Sequence, residues 1–166
     1  MLRHKLTQQD IDKMKKEIEH RKVVVRKELL ECVKEARAHG DLSENFEYKA
    51  AKKEKNRNES RIRYLERMIK NADVIDDTAD DDVVSVNKTV TLYFEEDGEE
   101  DVFSIVTTVL VDSLHNRVSI ESPIGKALQG HRVGDRVYIP VNADYGYYVT
   151  IKKIETFEED VPLNSF

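Results

Sequence analysis

The chain has 166 residues, 39% hydrophobic and 36% charged, with a net charge of −6. A single compact core would be thin on that composition, which suits an extended helical part joined to a small globular one. The one cysteine, Cys32, excludes an intramolecular disulfide and a Cys-based zinc site. The N-terminal MLRHKLTQQD lacks the apolar run of a signal peptide, and no stretch approaches a membrane span of about 20 apolar residues, so a soluble cytoplasmic protein is expected.

The charge is split between the two halves. Residues 1–75 hold 20 Lys and Arg against 14 Asp and Glu, whereas residues 76–166 hold 7 against 19. Opposite signs predict two domains in different surroundings, and the basic half suits either nucleic acid or a solvated helical surface. Residues 8–38 contain no Gly or Pro and read as helix. Ile11, Met14, Ile18, Lys22, Val25, Leu29, Cys32 and Ala36 fall at steps of three and four, a coiled-coil seam with a stutter at Ile18–Lys22. That pattern places Cys32 in the core. His39-Gly40 stops the helix. A second run without Gly or Pro, 42–72, carries Ile62, Leu65, Ile69 and Ala72 on one stripe.

Two long helices with a short connection predict an antiparallel hairpin, each arm roughly 45 Å long at 1.5 Å per residue. The stretch KKEKNRNESR (52–61) offers nothing apolar to bury, as if the rod enters a wet or charged place.

The sequence thus divides into a hairpin over 1–75 with its tip near 39–45, an acidic linker DDTADDD over 76–82, and a domain over 83–166. In the last, VTLYF (90–94), VFSIVTTVLV (102–111), VSIE (118–121), VYIPV (137–141) and YYVTIKKI (147–154) alternate as strands, with EEDGEED (95–101) as a hairpin turn. In SPIGKALQG (122–130), Ser122 suits an N-cap, Pro123 the first helical position and Gly130 the stop. A twisted antiparallel sheet with one short helix is expected, an α+β domain, and the tail TFEEDVPLNSF is expected to be mobile. The five His are scattered without ligand spacing. Tyr138, Tyr145, Tyr147 and Tyr148 read as surface residues, and no aromatic cluster is evident.

Asp41 and Glu44 lie three apart at the expected start of the second helix. D-x-x-E is the spacing of a capping box, Asp41 at the N-cap and Glu44 at N3, favoured by the helix dipole. A carboxylate can also cap with one oxygen and face outward with the other. Two carboxylates alone hold Mg²⁺ weakly, so the pair suits half a metal site that another molecule completes.

ARAHGDLSENFEYKAAK (36–52), a second arm ending NADVID (71–76), and SPIGKALQGHRVGDRVYI (122–139) resemble the bacterial Gre transcript-cleavage factors, the GreA/GreB family, collinearly over almost the whole chain. The resemblance implies a coiled-coil hairpin followed by an FKBP-like domain, in a monomer. It implies a partner, bacterial RNA polymerase, whose secondary channel receives the hairpin so that the polymerase cleaves its own backtracked RNA. By it, Asp41 and Glu44 help hold a Mg²⁺ shared with the polymerase and orient the attacking water. Ser122, Pro123, Ile124 and Gly125 match the loop that docks on the channel rim, and read without the family they are a capped helix start. Arg37, Lys52 and Lys53 match a basic patch meeting the RNA 3′ end, though such side chains are also ordinary solvated lysines and arginines. Asn87 stands where the family commonly has Gly, VLVDSLHNR (109–117) replaces a more acidic segment, and the tail is longer than usual. The rival readings are a channel-occupying regulator that does not promote cleavage, and an FKBP-like prolyl isomerase.

Overall fold

The structure, a computed structural model, describes residues 3–40, 45–78, 80–158 and 160–165. They form two compact units, one of Ile11–Ala72 and one of Arg3–Asp10 with Asp73–Ser165. The division differs from the expected 1–75 and 83–166 because two short strands that carry no strong alternation, β1 (His4–Thr7) and β2 (Ala72–Ile75), pair with each other.

In the first unit the first arm is α1 (Gln8–His20), a five-residue π segment (Arg21–Val25) and α2 (Arg26–Ala38). The stutter is therefore absorbed by one wide turn, in which the Arg26 N–H donates to the Arg21 carbonyl five residues back. The extra residue rotates the seam. Arg21, Val25, Leu29, Val33 and Ala36 are sheltered, while Lys22 and Cys32 are exposed, which corrects the placing of Cys32 in the core. The second arm, α3 (Phe46–Lys70), buries Ile62, Leu65 and Met68.

The expected emptiness of 52–61 is also corrected. Asn58 is 4% exposed. Its Oδ1 accepts from Arg21 Nη1 at 2.9 Å and its Nδ2 donates to the Arg21 carbonyl at 3.3 Å. Around it Glu17 accepts from Arg21 and Arg61, each at 2.8 Å, and Arg26 grips Glu59 through two bonds of 2.7 and 2.8 Å. A paired polar layer holds the two arms where apolar residues run out, since buried polar groups are tolerated when mutually bonded.

In the second unit a five-stranded sheet has the order β5-β4-β3-β7-β6. The strands are β3 (Lys88–Phe94), β4 (Glu99–Val106), β5 (Arg117–Ser119), β6 (Arg136–Pro140) and β7 (Gly146–Thr156). All pairs are antiparallel except β4 with β5. The expected strand over 102–111 ends at Val106, and Thr108–Leu110 turns as a 3₁₀ segment that buries Val109 and Leu110. Lys152 is the extra residue at the bulge where β7 changes register against β3. Val90, Leu92, Ile105, Val137, Ile139, Val149 and Ile151 line the inner face, and Leu128 of the short helix α4 (Pro123–Leu128) closes it. Contrary to the sequence reading, Phe94, Phe103 and Tyr147 do cluster, with ring centroids 6.0 and 5.8 Å apart, and they pack against this core.

Among the described residues, a reciprocal capping box lies at the start of the first arm. The Thr7 N–H donates to Asp10 Oδ2 at 3.1 Å and the Asp10 N–H to Thr7 Oγ1 at 3.2 Å. Thr107 Oγ1 donates to the same carboxylate oxygen at 2.7 Å, and Thr7, Asp10 and Thr107 all belong to the second unit. The tail does not hang free as expected. Val161 is buried, and Asn164 donates to the Val109 and Thr108 carbonyls, each at 2.8 Å. Asn87, in place of the family's glycine, adopts φ +62°, a left-handed conformation that Asn tolerates better than other side chains.

Candidate functional site

The hairpin tip is built from both arms. The α2 helix ends at Ala38, and Gly40 has φ +135°, beyond the reach of most L side chains. Helix α3 is capped by Asn45, whose Oδ1 accepts from the Tyr48 N–H at 3.0 Å while its Nδ2 donates to the Ala36 carbonyl at 2.6 Å. One side chain thus starts the second arm and satisfies a carbonyl at the end of the first. The second arm, expected from residue 42, is helical from Phe46, and the expected capping pair Asp41 and Glu44 falls before it. Asn at the position before Phe46 carried that signal, but the stronger-looking D-x-x-E pattern lies upstream of it. Asp41 and Glu44 themselves lie outside the described residues.

His39 Nδ1 and Glu47 Oε2 are 3.0 Å apart across the turn, both well exposed. Arg37 lies over the Tyr48 ring, 5.6 Å from its centroid. Arg37 also hydrogen-bonds the Tyr48 hydroxyl and, with the charges of Lys52 and Lys55, holds that phenol below its ordinary pKa. Of the three basic residues expected near the tip, Arg37 and Lys52 therefore share one face with Tyr48. Lys53 is exposed but is not part of that group. Tyr48 and Lys55 join it without having been singled out by the sequence, since only the pairing of the arms brings them opposite Arg37.

At the other candidate surface, Ser122 caps α4. Its hydroxyl donates to the Ser119 carbonyl at 2.6 Å and accepts from the Gly125 N–H at 3.1 Å. A Cβ on Gly125 would sit 2.1 Å from the Ser119 carbonyl oxygen, so only glycine lets α4 approach β5 this closely. Ile124 packs against the core and Gly125 is buried. Of the expected four, Pro123 faces outward. Beside it Ala127, Tyr138, Pro140 and Val141, together with Glu121, Lys126 and Asn142, line an open and largely apolar groove of about 650 Å³.

Residues 4–74 match the family described as "Transcription elongation factor, N-terminal", and residues 79–156 match "Transcription elongation factor, GreA/GreB, C-term". The chain belongs to the GreA/GreB family of transcription elongation factors. It is 42% identical over 151 residues to transcription elongation factor GreA of Staphylococcus carnosus, covering 91% of this chain and 94% of that one. It is 48% identical over 139 residues to GreA of Thermoanaerobacter pseudethanolicus, covering 83% and 88%. A solved structure of the transcription factor Gfh1 is 26% identical, covers 92% of this chain and 97% of that one, and superposes with a TM-score of 0.46.

As an elongation factor of this family the protein is an accessory to transcription, interacting with RNA polymerase. Among the described residues no group of three or more His, Cys, Asp or Glu converges as a metal site, and no helix is long and apolar enough to cross a membrane.

Proposed function

We propose that this elongation factor inserts its hairpin through the secondary channel of RNA polymerase and stimulates endonucleolytic cleavage of backtracked RNA, with Asp41 and Glu44 acting at the tip. The observation that carries the reading is the match of residues 4–74 to the family's N-terminal domain, a span that includes Asp41 and Glu44. The donor set suits Mg²⁺: hard carboxylate oxygens, too few to hold the ion without ligands from the polymerase and the RNA phosphates. A second Mg²⁺ there would supply a clamp on the attacking and leaving oxygens of phosphodiester hydrolysis. Asp41 and Glu44 would each contribute an oxygen ligand or accept a hydrogen bond from the attacking water. Arg37 and Lys52, on the Tyr48 face, would meet RNA phosphates by charge and so weaken with salt, without reading sequence.

The sheet domain docks on the polymerase through the apolar groove at Pro123, Tyr138 and Val141. Ser122 and Gly125 shape that loop and Ile124 supports it from within, so their role in docking is to hold Pro123 in place.

The test is cleavage from the RNA 3′ end in stalled, backtracked polymerase complexes with Mg²⁺. Asp41→Asn and Glu44→Gln should each abolish the stimulation while polymerase binding persists. Wild-type cleavage by both variants would remove the acids from the mechanism. Binding of the parent without any cleavage would make the protein a channel-occupying regulator instead.

A further inference from the structure

The second unit holds a cavity of about 300 Å³, which shares only Lys126 with the docking groove, between β1, the end of β2, the segment before β3 and α4. That volume is at the small end of the range for ligand sites, about 300–1,000 Å³. Lys5 and Lys126 both line it, and neither ammonium has a carboxylate partner among the described residues. Gln129, one turn of chain after Lys126, adds an amide. Ser85 also lines it, is 6% exposed, and its Oγ is a buried polar atom with no hydrogen-bond partner. Orphaned buried hydroxyls are rare enough to require a reason. The one acid at the rim, Asp76, has its Oδ1 engaged by the Thr78 N–H and hydroxyl at 2.9 and 2.7 Å.

We propose that this cavity binds a small phosphate monoester. Two unpaired ammonium groups match a dianion, and charge-assisted hydrogen bonds to phosphate oxygens are among the strong ones. Donors from four separate positions suit a tetrahedral group with three free oxygens better than a planar carboxylate. The Ser85 hydroxyl then gains the acceptor it lacks. Val86 and Ile120 on the cavity wall offer the organic part of the ester an apolar surface.

The test is ¹H–¹⁵N titration of the full chain with glycerol 3-phosphate, inorganic phosphate and sulfate at constant ionic strength. The monoester should shift the amides of Lys5, Ser85, Val86, Lys126 and Gln129 and bind more tightly than either inorganic ion. Lys5→Ala and Lys126→Ala should each weaken it by roughly tenfold or more, the size of a lost hydrogen bond to a charged group. Ser85→Ala should weaken it several-fold yet leave the ligand-free Tm unchanged or raised, because the hydroxyl makes no bond to lose. Absence of shifts, shifts elsewhere, or affinity unaffected by all three substitutions would overturn the site. Equal binding of inorganic phosphate and the monoester would overturn the ester.

Discussion

The sheet domain and the middle of the hairpin meet the same requirement, burial of side chains away from water, with opposite chemistry. In the sheet domain Val90, Leu92, Ile105, Val149 and Ile151 are all fully buried, and the stabilisation comes from apolar area removed from water. Halfway along the hairpin the buried residue is Asn58, ringed by Glu17, Arg21 and Arg61. A two-helix rod has too little interior there to exclude water with aliphatic side chains alone. Directional bonds take over, and they tolerate the wide π turn because the Arg21 carbonyl finds a second donor in Asn58. An apolar core is forgiving of register, whereas a bonded layer specifies it.

The sharpest break of this contrast is Leu92→Ala, which should cost about 2–5 kcal/mol as a cavity in a closed core. Urea unfolding followed by the tyrosine signal should show the sheet domain melting earlier, with the hairpin's amide exchange little changed.

Asn58→Leu should cost less, about 1–3 kcal/mol, because Arg21 Nη1 loses its acceptor while Arg21 Nε keeps Glu17. Its signature is faster exchange in the amides flanking the π segment. If Asn58→Leu is neutral or stabilising, the layer is decoration and the contrast fails.

The third expected effect depends on pH. Burial pushes the Glu17 carboxyl up, but the hydrogen bonds and charges of Arg61 and Arg21 outweigh it and hold the group below its ordinary value. A folded pKa below the unfolded one means stability that is full above about pH 4.3 and lost as the pH falls through the folded value. Thermal melts of the hairpin should therefore fall toward pH 3, and Glu17→Gln should flatten that dependence. An unchanged slope in the variant would assign the acid sensitivity to other carboxylates.

The smallest expected effect is Asn87→Gly. Relief of the left-handed backbone is offset by loss of the 3.2 Å bond from Asn87 Nδ2 to Asp77, so the net change should stay within about 0.5 kcal/mol by chemical unfolding.

Much of this was legible in the chain. The helical periodicity, the Gly40 stop, the Ser122-Pro123 helix start and the alternating strands rest on local stereochemistry, and each element formed close to where its residues favour it. The family strings around the tip were equally local. What escaped was whatever needs a partner distant in sequence. The strand β1 has only four residues and exists because β2 lies beside it. Cys32 looked like core because steps of three and four, even with a stutter, omit the one residue absorbed in a π turn. The tail looked free until the carbonyls of Thr108 and Val109 offered Asn164 two acceptors.

By itself, then, the sequence determined the two-part construction, the acidic pair at the turn and membership of the Gre family, because these depend on residue type and short spacing. Tertiary structure decided which side chain caps the second arm, which of the four loop residues faces outward, and where the polar layer of the rod closes. Those follow from which carbonyls and carboxylates are brought within about 3 Å of a donor, the range of a hydrogen bond. No local pattern in the chain encodes that distance.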